Sequence, residues 1–177
     1  MATVIGTRCN DGVVIVGDRR DVRDGRVSTD DCQRVFDLDD AAVGVVGPAS
    51  GVQTLIRSVR DEIRTYLHDR EGPIAQPAFE RILADAAKEA DATCLGSARN
   101  EEGKSILFRV DEGGGTTRDD RLAIGTGGDI AIGSLEQMKR DDAVEAAESQ
   151  LLEILAIVEA RDTATGLTTD SVILRDR

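Results

Sequence analysis

The first twenty residues constrain the fold more than any other stretch of the chain. Residues 3–9 read as a strand, Asn10-Asp11-Gly12 as a tight turn, and residues 13–17 as a second, apolar strand that runs into Asp18-Arg19-Arg20. An Asp-Gly pair between two such runs signals a hairpin, with Gly taking the positive φ that a two-residue turn demands. No targeting segment precedes the hairpin, so the chain is expected to open directly on a core strand. A carboxylate at the end of an apolar strand is either a solvated strand end or a site residue. Residue types alone favour the solvated end, because charges normally mark where a strand leaves the core.

The remaining periodicities supply the other layers. A polar stretch holding an Asp24-Gly25 turn leads to a short strand over residues 33–38. Residues 41–47, small and β-branched, predict a central strand buried on both faces. Pro48 breaks that strand, and Ser50 is placed to cap a helix over residues 52–68, where Val52, Leu55, Ile56, Val59 and Ile63 recur at helical spacing. A second helix starts near Pro77. Strands return over residues 92–98 and 105–110, then at Thr116-Thr117 and residues 122–124. A short helix over 130–138, a long one over 143–160 and a strand over 168–174 complete the chain. This order lacks the alternation of a doubly wound sheet. It predicts an α+β fold, a four-layer αββα sandwich with two antiparallel sheets between helix pairs, as one domain over residues 1–177.

Charge narrows the function classes. Thirty-four acidic against 22 basic side chains give −12, which argues against nucleic acid as a partner, since binding phosphates needs clustered Lys and Arg. The acidic residues (Asp30-Asp31, residues 37–40, Asp119-Asp120, Asp141-Asp142) are spread as a solvated coat. Only three of the basic residues are lysine, and an acidic, lysine-poor surface suits a halophilic cytoplasm, where net charge maintains solubility. Cys9, Cys32 and Cys94 have no paired spacing and fit a reducing compartment and small buried positions, not disulfides or zinc. His68, the only histidine, falls near a helix end where a cationic ring suits the dipole. No apolar run reaches bilayer length. The expectation is a soluble cytoplasmic protein with no cofactor, no metal and no membrane partner.

Two glycine-containing segments carry the remaining signal. Gly125-Thr126-Gly127-Gly128 has the strand-to-helix context of a phosphate cradle. It lacks both the dinucleotide glycine spacing and the Gly-Lys-Ser/Thr of a P-loop, and Asp129 would repel phosphate there. Asp162 opens a small-residue turn after the long helix, where it either ends that helix or accepts buried hydrogen bonds. In order, these segments stop being independent. Asp11-Gly12-Val13-Val14 then Asp18-Arg19-Arg20, Arg34 before Val35-Phe36, Gly47 after a small-residue strand, the Gly125–Asp129 run followed by Gly133-Ser134-Leu135-Glu136, and Arg161-Asp162-Thr163-Ala164-Thr165-Gly166 together resemble a proteasome β-type subunit of the N-terminal-nucleophile hydrolase superfamily. The resemblance runs from residue 2 to about residue 174, and the lack of an α-type helix before the first strand points to the β type.

The resemblance implies the same αββα fold and a threonine-peptidase site. In that site an N-terminal threonine hydroxyl attacks, the terminal amine acts through water as base, and a lysine and an aspartate set the local potential. A backbone amide forms the oxyanion hole, and a Ser-Asp-Ser group orients the amine. By matching motif, Asp18 takes the aspartate's place, Arg34 the lysine's, Gly47 the oxyanion glycine's, Thr126 the first serine's, and Asp162 with Thr165 the final pair's. The nucleophile stands four residues before the first-strand glycine, Gly6 here, so its place falls on Ala2. Alanine has no hydroxyl. Removal of Met1 would make Ala2 the terminus, and Thr3, one residue along an alternating strand, is expected to face away from the site. Arg34 keeps the positive field but cannot exchange a proton. The resemblance thus implies a proteasome-type subunit inactive as written. Two other readings stay open: an amidase or peptide transferase using Thr3 after trimming, and a peptide-binding module reusing the vacant cleft. The implied partners are copies of itself or related subunits in a ring, and peptide substrate.

Overall fold

In the computed structural model, residues 2–68, 70–139 and 142–177 are described; Met1 and Asp141 of the acidic coat lie outside them. The N-terminal hairpin pairs β1 (Thr3–Arg8) with β2 (Gly12–Asp18). β10 (Arg121–Gly125) adds on the far side of β1 and β11 (Thr169–Arg175) on the far side of β2, giving an antiparallel sheet in the order β10-β1-β2-β11. A second antiparallel sheet runs β5 (Val35–Asp37), β6 (Ala41–Val46), β7 (Thr93–Arg99), β8 (Ser105–Val110) and β9 (Thr116–Arg118).

Each sheet buries both faces, which explains why β2 and β6 are apolar without alternation. Along β2, Val13 and Ile15 point between the sheets, where they meet Val4, Leu95 and Leu107. Val14 and Val16 point the other way, against Leu151, Leu155 and Val158 of α4 (Val144–Glu159) and residues of α3 (Gly128–Leu135). The outer face of the second sheet is covered by α1 (Ala49–His68) and α2 (Gln76–Ala90), whose Leu55, Val59, Phe79 and Leu83 pack on Val43, Val45 and Phe108. The Phe79 and Phe108 rings meet edge to face with centroids 6.0 Å apart, a favoured aromatic geometry. The result is the four-layer αββα sandwich.

Four local expectations are corrected. Gly12 does not take positive φ; it is glycine because a Cβ there would lie 2.5 Å from the Leu174 carbonyl oxygen of β11. The polar stretch after Asp18 is itself a hairpin, β3 (Asp21–Arg23) with β4 (Arg26–Thr29), turning at Asp24-Gly25 with both residues at positive φ. Helix α1 begins at Ala49, so Ser50 sits inside its first turn, and the carbonyl of Pro48 receives the Val52 amide. Cys9 and Cys94 are buried, but Cys32 is half-exposed.

Candidate functional site

The β1 terminus enters the fold beside three loops: the end of β2, the β10–α3 turn and the segment after α4. Asp18, fully buried, receives three backbone amides. Thr3 donates to its Oδ2 at 2.5 Å, and Arg20 and Gly166 donate to its Oδ1 at 2.8 and 3.0 Å. Burial pushes its carboxyl above the ordinary value, although these amides and the nearby Arg34 charge pull it down. A carboxylate that gathers the first strand, the second strand and the post-α4 loop is a joint between elements. It is not a solvated strand end.

A hydroxyl chain starts one residue after Ala2. Thr3 Oγ1 accepts from the Gly127 amide at 2.9 Å and lies 2.7 Å from Thr165 Oγ1. The Thr165 hydroxyl also donates to Asp162 Oδ2 at 2.7 Å, and Thr126 donates to the same oxygen at 2.6 Å. The Ala164 amide occupies Asp162 Oδ1 at 3.0 Å. Burial raises the Asp162 pKa, but the two hydroxyls and the amide outweigh it and hold the carboxyl below its ordinary value. Gly127 is fixed by closeness, since a Cβ there would run into Val158 Cγ1.

Thr3 therefore does not turn away from the predicted residues. The alternation itself holds: Val4 points between the sheets and Ile5 toward the helices, and Thr3 shares the helix-side face with Ile5. That face is closed by the β10–α3 turn and the post-α4 loop, which carry Gly127 and Thr165.

Arg34 and Gly47 form a second group. The Arg34 guanidinium is wholly buried. It donates to the Gly47 carbonyl at 2.5 Å and to Asp21 Oδ1 at 3.0 Å, and reaches the Arg20 carbonyl at 3.5 Å. Its ion-pair partner is thus Asp21, while Asp18 is filled by backbone amides. Arg34 Nε is buried without a hydrogen-bond partner among the described residues. Arg20 links the groups, giving its amide to Asp18 and its carbonyl to Arg34. Asp21 lies in no motif, and three residues of β3 are too few to carry a readable alternation; its place beside Arg34 comes from the β3–β4 hairpin. In the glycine bend, the Gly127 amide is directed to Thr3, which removes a phosphate-facing donor from that turn.

Two antiparallel sheets between helix pairs, with the first strand anchored on the buried carboxylate of Asp18, fit the architecture of N-terminal-nucleophile hydrolases. Within that class the chain matches the family model described as proteasome subunit over residues 1–174 and belongs to that family. It is 34% identical to a proteasome subunit beta of Halomicrobium mukohataei, with 93% of this chain and 71% of the relative covered. It is 33% identical to proteasome subunit beta 2 of Haloarcula marismortui, covering 93% and 74%. Against proteasome subunit beta 1 of Korarchaeum cryptofilum it is 29% identical, covering 99% and 88%. No described helix is long and apolar enough to cross a membrane.

Proposed function

We propose that the chain is a proteasome β-type subunit that does not cleave peptides, because the position of the nucleophile is Ala2. The reading is supported by a hydrogen-bonded set of Asp18, Thr126, Asp162 and Thr165 gathered around Thr3, one residue after a side chain that has no hydroxyl. Asp18, Thr126, Asp162 and Thr165 hold their hydrogen bonds, while Ala2 supplies no oxygen to activate. Arg34 adds a second obstacle. Its guanidinium is committed to Asp21 and the Gly47 carbonyl. Peptide hydrolysis and labelling by a threonine-directed electrophile should both be absent in the wild type. They should appear in Ala2→Thr/Arg34→Lys, with turnover about tenfold or more above Ala2→Thr alone. Turnover in the wild type refutes the reading.

A second reading is favoured by one observation: Thr3 already has its backbone nitrogen on Asp18 and its hydroxyl on the Thr165–Asp162 chain. Trimming of Met1 and Ala2 would leave a threonine amine and hydroxyl in the cluster. This reading requires a mature terminus at Thr3 and loss of activity in Thr3→Ala.

The relatives are named as subunits, and we place this chain likewise in an assembly of itself or related subunits, in the cytoplasm of a halophile, with peptide as the ligand class and no nucleic acid or cofactor. Light scattering in concentrated salt tests it; a monomer at all concentrations would contradict it.

A further inference from the structure

Two Asp-Gly pairs occur in the chain, Asp11-Gly12 at the β1–β2 turn and Asp24-Gly25 at the β3–β4 turn. Such a pair is prone to isomerise, because the glycine nitrogen reaches the preceding side-chain carboxyl with no Cβ in the way. The fold treats the two pairs oppositely. Asp11 is locked: its Oδ1 receives the Val144 amide at 3.0 Å and its Oδ2 the Arg175 guanidinium at 3.1 Å. Its carbonyl takes the Asp176 amide at 2.9 Å, and Gly12 is buried and paired with Arg175 of β11. Closing a ring there would break these bonds and force the main chain against Leu174.

Asp24-Gly25 is open. Both residues are exposed and take left-handed φ, 50° and 73°, a region that Asp tolerates and Gly enters freely. The Asp24 carboxylate has no hydrogen bond or ion pair, and the Gly25 amide no acceptor, among the described residues. Nothing lies within 4 Å of the place that a Cβ on Gly25 would take. Strands β3 and β4 form a two-stranded sheet, and β4 is exposed throughout; a ribbon of this kind opens locally at little cost. Asp39 and Asp91 share the left-handed φ, but Asp40 and Ala92 follow them, and a side chain on the attacking residue hinders ring closure.

We propose that Asp24-Gly25 is a site of spontaneous aspartate isomerisation in the folded protein, and that Asp11-Gly12 is protected from it. The Gly25 backbone nitrogen gives up its proton and attacks the Asp24 side-chain carboxyl carbon. The new C–N bond replaces a C–O bond, water leaves, and a succinimide ring closes. Water then adds to one of the ring carbonyls. Opening at the side-chain carbonyl restores aspartate. Opening at the main-chain carbonyl leaves isoaspartate, with the chain running through Cβ and Cγ and a carboxylate on Cα. No oxidant or cofactor is consumed, and nothing is needed from Ala2 or Thr3. The product lengthens the main chain inside the turn, so the pairing of Arg23 with Arg26 no longer closes. That hairpin holds Asp21 on Arg34, which carries the change to the buried pair.

The test ages the full wild-type chain at neutral pH, folded in concentrated potassium chloride and unfolded in guanidinium chloride. Digestion follows with an endoproteinase that cleaves before aspartate but not before isoaspartate. An uncut peptide over residues 21–29 reports conversion at Asp24, and one over residues 2–17 reports conversion at Asp11. An isoaspartyl methyltransferase with labelled S-adenosylmethionine counts the product. In the folded chain Asp24 should convert about tenfold or more faster than Asp11, whose carboxylate must first leave its hydrogen bonds. Unfolding should bring the two rates within about threefold of each other. Asp24→Asn, which loses ammonia in place of water, should form isoaspartate about tenfold or more faster than wild type, and Asp24→Glu should form none at this position. Equal conversion at the two pairs in the folded chain overturns the proposal. So does conversion at Asp24 more than about tenfold slower folded than unfolded, or an Asp24→Asn variant no faster than wild type. Converted protein should also unfold at lower urea than aged Asp24→Glu, and an equal midpoint overturns the link to Arg34.

Discussion

At the residue scale, the site is held by two carboxylates with opposite tendencies. Asp162 is held below its ordinary value by the Thr126 and Thr165 hydroxyls, so its folded form releases its proton more readily than its unfolded form. It stabilises the fold above the unfolded value of about 4, and that contribution disappears as pH falls through the lower folded value. Urea midpoints of wild type and Asp162→Asn should therefore differ most above pH about 5 and converge as pH falls below the ordinary carboxylate range; a constant gap would contradict this. Asp18, raised by burial, works the other way, favouring the fold when protonated and opposing it as pH rises. The Arg34–Asp21 pair is buried on both sides, so removing Arg34 leaves Asp21 with only the exposed Arg23 guanidinium, at 3.0 Å. Arg34→Met should cost about 3–5 kcal/mol in chemical unfolding, and a loss under about 1 kcal/mol would show that Arg23 alone satisfies Asp21.

At the element scale, the dependence of β2 on β11 is sharp. Gly12→Ala and Gly12→Asn should both force the β1–β2 hairpin off the Leu174 carbonyl at roughly 1–3 kcal/mol, measured by thermal unfolding, whereas a turn needing only positive φ would tolerate Gly12→Asn better than Gly12→Ala. The order of strands and helices was legible because each layer carries its own period: helical spacing in α1, unbroken apolar runs in β2 and β6. The β3–β4 hairpin was not, because its strands are short and β4 is exposed throughout, which leaves no hydrophobic alternation to read. Asp18, Asp162 and Thr165 could be singled out by motif, and the structure brings them together around Thr3. The orientation of Thr3 could not be read, because alternation says which sheet face a side chain takes but not which loop closes over that face. The partner of Arg34 was hidden for a related reason. Asp21 is chosen by where the β3–β4 hairpin folds back.

At the scale of the whole molecule, charge and assembly meet. The end of β11 and the residues after it are laced by a half-buried Arg8–Asp176 pair and by the more exposed Arg175–Asp11 and Arg177–Asp40 pairs, but surface pairs contribute about 0–1 kcal/mol each and weaken in salt. Self-repulsion at −12 is the larger effect, and salt relieves it. The unfolding midpoint should therefore rise with potassium chloride and fall on dilution; a midpoint that falls as salt rises would show that the pairs dominate. If Ala2 holds the nucleophile's position in this member of the proteasome subunit family, intact-mass spectrometry of the wild-type protein should find a terminus at Ala2 and no change of mass after treatment with a threonine-directed electrophile. A terminus at Thr3, or a stoichiometric adduct on β1, would rule that out.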